Sequence, residues 1–153
     1  NMSIEERLQA LGLTIDAAPA PVGNYLPYRI TGNLIYLSGS ICMEAGEMRY
    51  VGAVGRERTL EEGREAARFC AVNQLRVLKA AVGDLEKVKQ MIQLTGYVWG
   101  VEGFADSPKV INAASDLFVE VLGDLGKHSR AAVAVSGLPA RSTVELHSVF
   151  ELF

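Results

Sequence analysis

The chain has 153 residues, of which 49% are hydrophobic and 22% charged, with a formal net charge of −3. This is a common size for one domain, and the apolar share supports a packed core, which argues against a disordered chain. The acidic balance gives no electrostatic reason to expect nucleic acid or an anionic membrane as partner, and no apolar run approaches the ~20 residues of a membrane span.

Ser3-Ile4-Glu5-Glu6 has the capping-box pattern and predicts a short helix to Leu11, stopped by Gly12. Its charged start, Met2 to Arg7, lacks the apolar centre of a signal peptide, and Asn1 ahead of Met2 reads as an expression remnant. Leu13-Thr14-Ile15 suggests the start of an edge strand, and Pro19, Pro21 and Gly23 mark a loop. Tyr28–Ile30 and Leu34–Ser38 flank Thr31-Gly32-Asn33 and predict a hairpin. Gly46 and Gly52 punctuate a weakly patterned stretch. Thr59-Leu60-Glu61-Glu62 is a second capping box. Ala67, Cys70, Ala71, Gln74, Leu75, Leu78 and Val82 then recur at helical spacing up to Gly83, which predicts a long helix with a small-residue face.

Val88 to Trp99 reads as a strand. Asp106-Ser107-Pro108 opens another helix, with Pro108 at its first position. Val110, Ala114, Leu117, Phe118 and Val121 form its inward stripe, and Gly123 closes it. Two apolar strands end the chain, one opening near Arg130 and one carrying Glu145, read as a hairpin around Gly137-Leu138-Pro139. The expectation is a single α+β domain over residues 1–153, with residues 2–21 as an N-terminal helix and lead-in. Helices cover one face of a mixed sheet. On the central strand Ile92, Leu94, Gly96 and Val98 alternate with Met91, Gln93, Thr95, Tyr97 and Trp99. Neither set is strongly polar and the helices are too few to cover both faces, so an oligomer packing sheet on sheet is expected.

Cys42 and Cys70 lie in apolar segments without a CxxC pattern and read as buried thiols of a reducing compartment, which places the protein in the cytoplasm. His128 and His147 have no ligand-spaced partners, so no metal site is expected; they read as a loop and a strand residue. No glycine-rich phosphate loop joins a strand to a helix. Ser38-Gly39-Ser40 follows a strand, but no histidine–acid pair accompanies it. Arg130 and Glu145 offer more. A guanidinium fork matches a carboxylate in two parallel hydrogen bonds, and a carboxylate near the same pocket activates water. The pair outlines a site for a carboxylated metabolite that reacts with water. An exposed strand-end arginine is the plainer alternative.

In order and spacing, Gly23-Asn24-Tyr25, Leu37-Ser38-Gly39-Ser40-Ile41, the helix from Thr59, Asn112, the Arg130 strand and Val144-Glu145-Leu146 resemble the RidA/YjgF family, also called L-PSP endoribonucleases, in its longer branch of about this length. The resemblance runs from about Val22 to Leu152. It implies a chorismate-mutase-like fold with two long helices on one sheet face. It also implies a homotrimer with an internal sheet barrel, clefts between subunits, and no metal or organic cofactor. By resemblance Arg130 grips the substrate carboxylate, Glu145 is associated with water, and Tyr25, Ser38, Gly39 and Ala132 line the cleft. Asn112 takes a helix position read as structural.

Pro139-Ala140-Arg141-Ser142 also matches the family's usual site-arginine motif. Only twelve residues follow Arg141, barely enough for two strands and a turn, so the site is assigned to Arg130 and Arg141 to the hairpin exit. Departures from the family pattern are His128-Ser129 in place of Pro-Ala, Ala132 in place of a frequent cysteine, and Ser40 in place of a frequent glutamine. The implied activity is hydrolytic deamination of reactive enamines and imines such as 2-aminoacrylate. A non-enzymatic trimer that binds a small carboxylate or a protein is the alternative. Ribonuclease activity is the reading least supported by this acidic chain.

Overall fold

The computed structural model describes residues 2–153; Asn1, read above as an expression remnant, lies outside the described residues. In chain order the helices are α1 (Ile4–Ala10), α2 (Leu60–Val82) and α3 (Ser107–Leu122). The strands are β1 (Tyr28–Thr31), β2 (Leu34–Leu37), β3 (Ser40–Ile41), β4 (Met43–Glu44), β5 (Glu47–Met48), β6 (Val88–Trp99), β7 (Ser129–Val135) and β8 (Val144–Leu152). The architecture is α+β, a mixed sheet with helices packed on it.

Both capping boxes form. Ser3 Oγ accepts from Glu6 N while Glu6 reaches back to Ser3 N, and Thr59 and Glu62 repeat the arrangement at α2. Each reciprocal pair satisfies backbone donors that a helix start otherwise leaves open. Gly83 and Gly123 end α2 and α3 at φ of 83° and 68°, where a side chain would be strained. Pro108 occupies the second helical position rather than the first, since Ser107 already begins α3. Leu13-Thr14-Ile15 forms no strand. The Arg76 guanidinium on α2 bonds Thr14 O, and Ile15 is buried in the core, so tertiary contacts replace sheet pairing there.

The main sheet runs β1-β2-β8-β6-β7, with β3 pairing the other end of β8. The β1–β2 hairpin closes around Gly32-Asn33, as predicted. The C-terminal hairpin does not form. β7 pairs with β6 in parallel and β8 pairs with β6 antiparallel, so β6 lies between them. The segment joining β7 to β8 crosses β6 and bonds the 50–52 region, with Thr143 N donating to Tyr50 O and Gly52 N to Arg141 O. Arg141 is therefore not a hairpin-exit residue. It ends a short 3-10 turn in which Ala140 and Arg141 both hold positive φ, and its guanidinium lies 4.9 Å from the Trp99 ring centroid.

The helix-facing side of the sheet carries Ile35, Leu37, Leu94, Val98, Val144, Leu146 and Phe150, all buried. Gly96 lets α3 approach closely, because a methyl there would come 2.6 Å from Ile111 Cδ1. The predicted alternation along β6 breaks at Ile92. A register shift between Met91 and Gln93 makes a bulge, so Met91 and Leu94 both point into the core. On the other face Tyr36 and Val133 remain 47% and 45% exposed. Cys42 and Cys70 are both buried free thiols, with sulfurs 3.3 Å apart.

Candidate active site

The residues singled out in sequence divide between two places. Strand pairing decides this. Arg130 lies opposite Leu94 on β6, and Leu94 faces the helices. Glu145 lies opposite Tyr97, on the other face. The two residues also sit on strands that flank β6 on either side, roughly 10 Å apart at sheet spacing. Within one chain Arg130 and Glu145 do not share a pocket.

The first place is the β7 edge. Arg130 points over it toward α3, where Nη1 donates to Asn112 Oδ1 at 2.8 Å and to Ser115 Oγ at 3.2 Å. Asn112 thus touches the arginine directly. Ser115 Oγ is also 2.9 Å from His128 Nε2, and His128 Nδ1 is 2.6 Å from Gly126 O. Phe118 packs edge-on to the imidazole. Burial, followed by the nearby Arg130 charge, pulls the His128 pKa below its usual value, against the opposing pull of the Gly126 carbonyl. Ala132 lies two residues along, its carbonyl accepting from Ser107 Oγ and its side chain packed on the core. The sequence reading of His128 as a plain loop residue missed this network. No spacing in the sequence signals it: Ser115 and His128 come together beside the arginine only because α3 packs against β7.

The second place is the bend between β2 and β3. Ser38 Oγ donates to Leu26 O at 2.6 Å, and Ser38 N to Pro27 O. Gln74, buried on α2, holds the bend from behind: its Nε2 donates to Ser38 O and Ser40 Oγ, and its Oε1 accepts from Ser148 Oγ. Sequence reading assigned Gln74 to the core stripe and missed its polar role. Gly39 lies against the Glu145 side chain so closely that a methyl at 39 would overlap Oε2. Burial alone raises the Glu145 pKa above its usual 4.5. A recess beside this bend is lined by Pro21, Val22, Tyr25, Ser38, Gly39 and Ile41, among others. Tyr25 is 48% exposed, and its hydroxyl accepts from Val22 N at 3.4 Å.

Among the described residues no three His, Cys, Asp or Glu side chains cluster as a metal site, and no helix is long and apolar enough to cross a membrane. The arrangement places a guanidinium with neutral partners at the β7 edge and, separately, a half-buried carboxylate against Gly39 at the bend.

Comparison with known proteins agrees with the architecture. A family model described as YjgF/chorismate mutase-like, putative endoribonuclease matches residues 5–152. Protein TCP17 of Trypanosoma cruzi is 36% identical over 150 residues, covering 97% of this chain and 94% of that protein. The crystal structure of Atu1372 from Agrobacterium tumefaciens, a protein of unknown function, is 43% identical with a TM-score of 0.90, covering 98% of this chain and 93% of its own. A putative endoribonuclease from Shewanella oneidensis MR-1 is 34% identical with a TM-score of 0.94, covering 99% and 100%.

Proposed function

The chain belongs to the YjgF/chorismate mutase-like family, and from that premise we propose that it is a cofactor-independent deaminase of reactive enamines and imines. The products are 2-oxo acids and ammonia. The observation that carries the reading is the division of the site. An arginine with only neutral protein partners and a carboxylate of raised pKa lie on opposite faces, so they act together only across an interface.

The proposed assembly is a homotrimer. Sheet packed against sheet would cover Tyr36 and Val133, and would bring Arg130 of one protomer to the Gly39–Glu145 bend of its neighbour. Sedimentation should give a trimer at micromolar concentration; a stable monomer would overturn the assembly and the composite site with it.

In the proposed mechanism Arg130 anchors the carboxylate of the substrate. The enamine takes a proton at its β carbon and becomes an imine with an electrophilic α carbon. Glu145 accepts a proton from water as the water attacks that carbon, and returns it to nitrogen. The carbinolamine then collapses: its hydroxyl proton leaves to solvent, replacing the one taken up at carbon, the C=O bond forms as the C–N bond breaks, and ammonia is released. Tyr25, Ser38, Gly39 and Ala132 shape the space around the reacting group. Spontaneous hydrolysis of such imines is already fast, so orientation and electrostatics are the main requirement.

The test generates 2-aminoacrylate with a serine dehydratase and follows its conversion to pyruvate. The expected result is acceleration over the spontaneous rate, lost in Arg130→Ala. No acceleration with several imines overturns the deaminase reading. Calorimetric binding of 2-oxo acids without turnover would instead favour a binding module. The family description also names an endoribonuclease. A net charge of −3 offers little for a phosphate backbone, and the same preparation should leave RNA intact.

A further inference from the structure

We infer that Ser115 and His128 are positioning residues that select which edge of the Arg130 guanidinium is presented to a carboxylate. The inference rests on the proposed role of Arg130 and adds to it a chain of hydrogen bonds whose directions follow from chemistry.

The chain begins at a carbonyl. Gly126 O can only accept, so His128 Nδ1 carries the proton in the 2.6 Å bond between them. In a neutral imidazole the other nitrogen is then an acceptor. Ser115 has one hydroxyl proton, and the 2.9 Å contact with His128 Nε2 takes it. What Ser115 Oγ has left is lone pairs, and one of them accepts from Arg130 Nη1 at 3.2 Å. Asn112 Oδ1 accepts from the same Nη1 at 2.8 Å. Both protons of Nη1 are thereby used.

The other edge of the guanidinium, Nε and Nη2, carries two parallel N–H groups, the geometry of a bidentate carboxylate pair. The partners on Nη1 are neutral, and no ion pair with a protein carboxylate compensates Arg130 among the described residues. The relay therefore holds the arginine in one orientation without neutralising its charge. Without an acceptor at position 128, the Ser115 hydroxyl is free to turn its proton toward the guanidinium, donor against donor. Phe118, edge-on to the imidazole, restricts the ring that prevents this. The His128-Ser129 departure from the family pattern thus supplies a part that a proline at 128, having no side-chain hydrogen-bonding group, lacks.

A mere fastener between α3 and β7 would affect melting temperature alone, so the test reads binding and kinetics. The full-length protein is titrated with 2-oxobutyrate by calorimetry, and kcat and KM are measured with the enamine generated from threonine. Ser115→Ala should weaken 2-oxobutyrate and raise KM by about fivefold to tenfold, the scale of one ordinary hydrogen bond felt through orientation, with kcat changed less. His128→Leu, which cannot accept, should match it. His128→Gln, whose side-chain oxygen can accept from Ser115, should recover most of what the leucine variant loses.

If Ser115→Ala and His128→Leu leave affinity and KM unchanged while Arg130→Ala abolishes binding, the relay is overturned and the carboxylate reading stands. A lowered melting temperature with unchanged KM has the same meaning. If Arg130→Ala itself leaves binding intact, the carboxylate reading falls, and the relay with it. Should His128→Leu fail to fold, the Ser115→Ala result decides alone.

Discussion

The β7 edge and the β2–β3 bend solve opposite electrostatic problems. At the edge, a permanent cation is held by an amide oxygen and a hydroxyl, and keeps its charge for something else. At the bend, a carboxylate is half-buried, and desolvation makes it a better proton acceptor than a solvated glutamate. One place orients and the other tunes. Under the proposed function, two such regions back to back on one sheet would supply the parts of an acid–base site, but not their assembly.

The largest expected effect is at the edge. Arg130→Ala would remove the proposed bidentate pair, whose charged hydrogen bonds are worth about 1.5–3 kcal/mol each, so 2-oxo acid affinity and turnover should fall by more than about a hundredfold. Circular dichroism should remain native, because the side chain is only half-buried. Arg130→Lys should rescue poorly, since a point charge cannot reproduce the planar fork. If the lysine variant matches wild type, the edge contributes charge and not orientation, and the contrast between the two regions disappears.

Gly39→Ala probes the bend in isolation. The added methyl overlaps Glu145 Oε2, so the flexible carboxylate end must turn away. Turnover should drop on the order of tenfold to a hundredfold, with little loss of stability and near-normal 2-oxo acid affinity at the edge. Steady-state kinetics beside calorimetry separates these quantities. An equal loss of affinity and turnover would mean that the bend also binds the carboxylate.

Glu145 gives a pH test with a definite sign. Its folded-state pKa lies above the usual 4.5, so the folded chain binds its proton more tightly than the unfolded chain does. Its contribution favours folding below pH 4.5 and is lost as pH rises through the raised folded value. Activity runs the other way, rising with pH across the same window as the carboxylate ionises. Glu145→Gln should therefore be slightly more stable than wild type at pH 7 and much less active, and should lose the acidic limb of the pH–rate profile. A retained acidic limb would assign that limb to another group.

The smallest expected effect lies outside both regions. Arg141 stacks on Trp99 and makes no ion pair among the described residues. Arg141→Ala should cost about 0.5–1 kcal/mol in denaturant melts, the value of an exposed cation–π contact, and leave turnover within about twofold. A large loss of activity there would move the anion-binding role from Arg130 to Arg141.

Local chemistry made much of the fold legible. Two capping boxes, the glycines at 83 and 123, and the period of the apolar residues placed α2, β6 and α3 within a residue of where they lie. These signals are short-range: a cap, a positive φ or a buried stripe depends on neighbours within a few positions. The order of strands is different. That β8 enters between β2 and β6, rather than folding back on β7, depends on pairings such as Tyr36 with Val149 and Tyr97 with Glu145, across more than 40 residues. No local pattern encodes a partner at that distance.

The faces of Arg130 and Glu145 followed from those pairings, since each side chain takes the side of the residue it lies opposite. The bulge at Ile92, which turns Met91 into the core against strict alternation, is of the same kind. So is the network around His128. Ser115 and Gly126 stand out in no sequence pattern, and they join His128 and Arg130 in a hydrogen-bonded chain only because α3 packs beside the parallel β6–β7 pair. The sequence by itself determined which residues were chemically capable; tertiary pairing decided which of them meet, because that choice is made by contacts that local propensity does not carry.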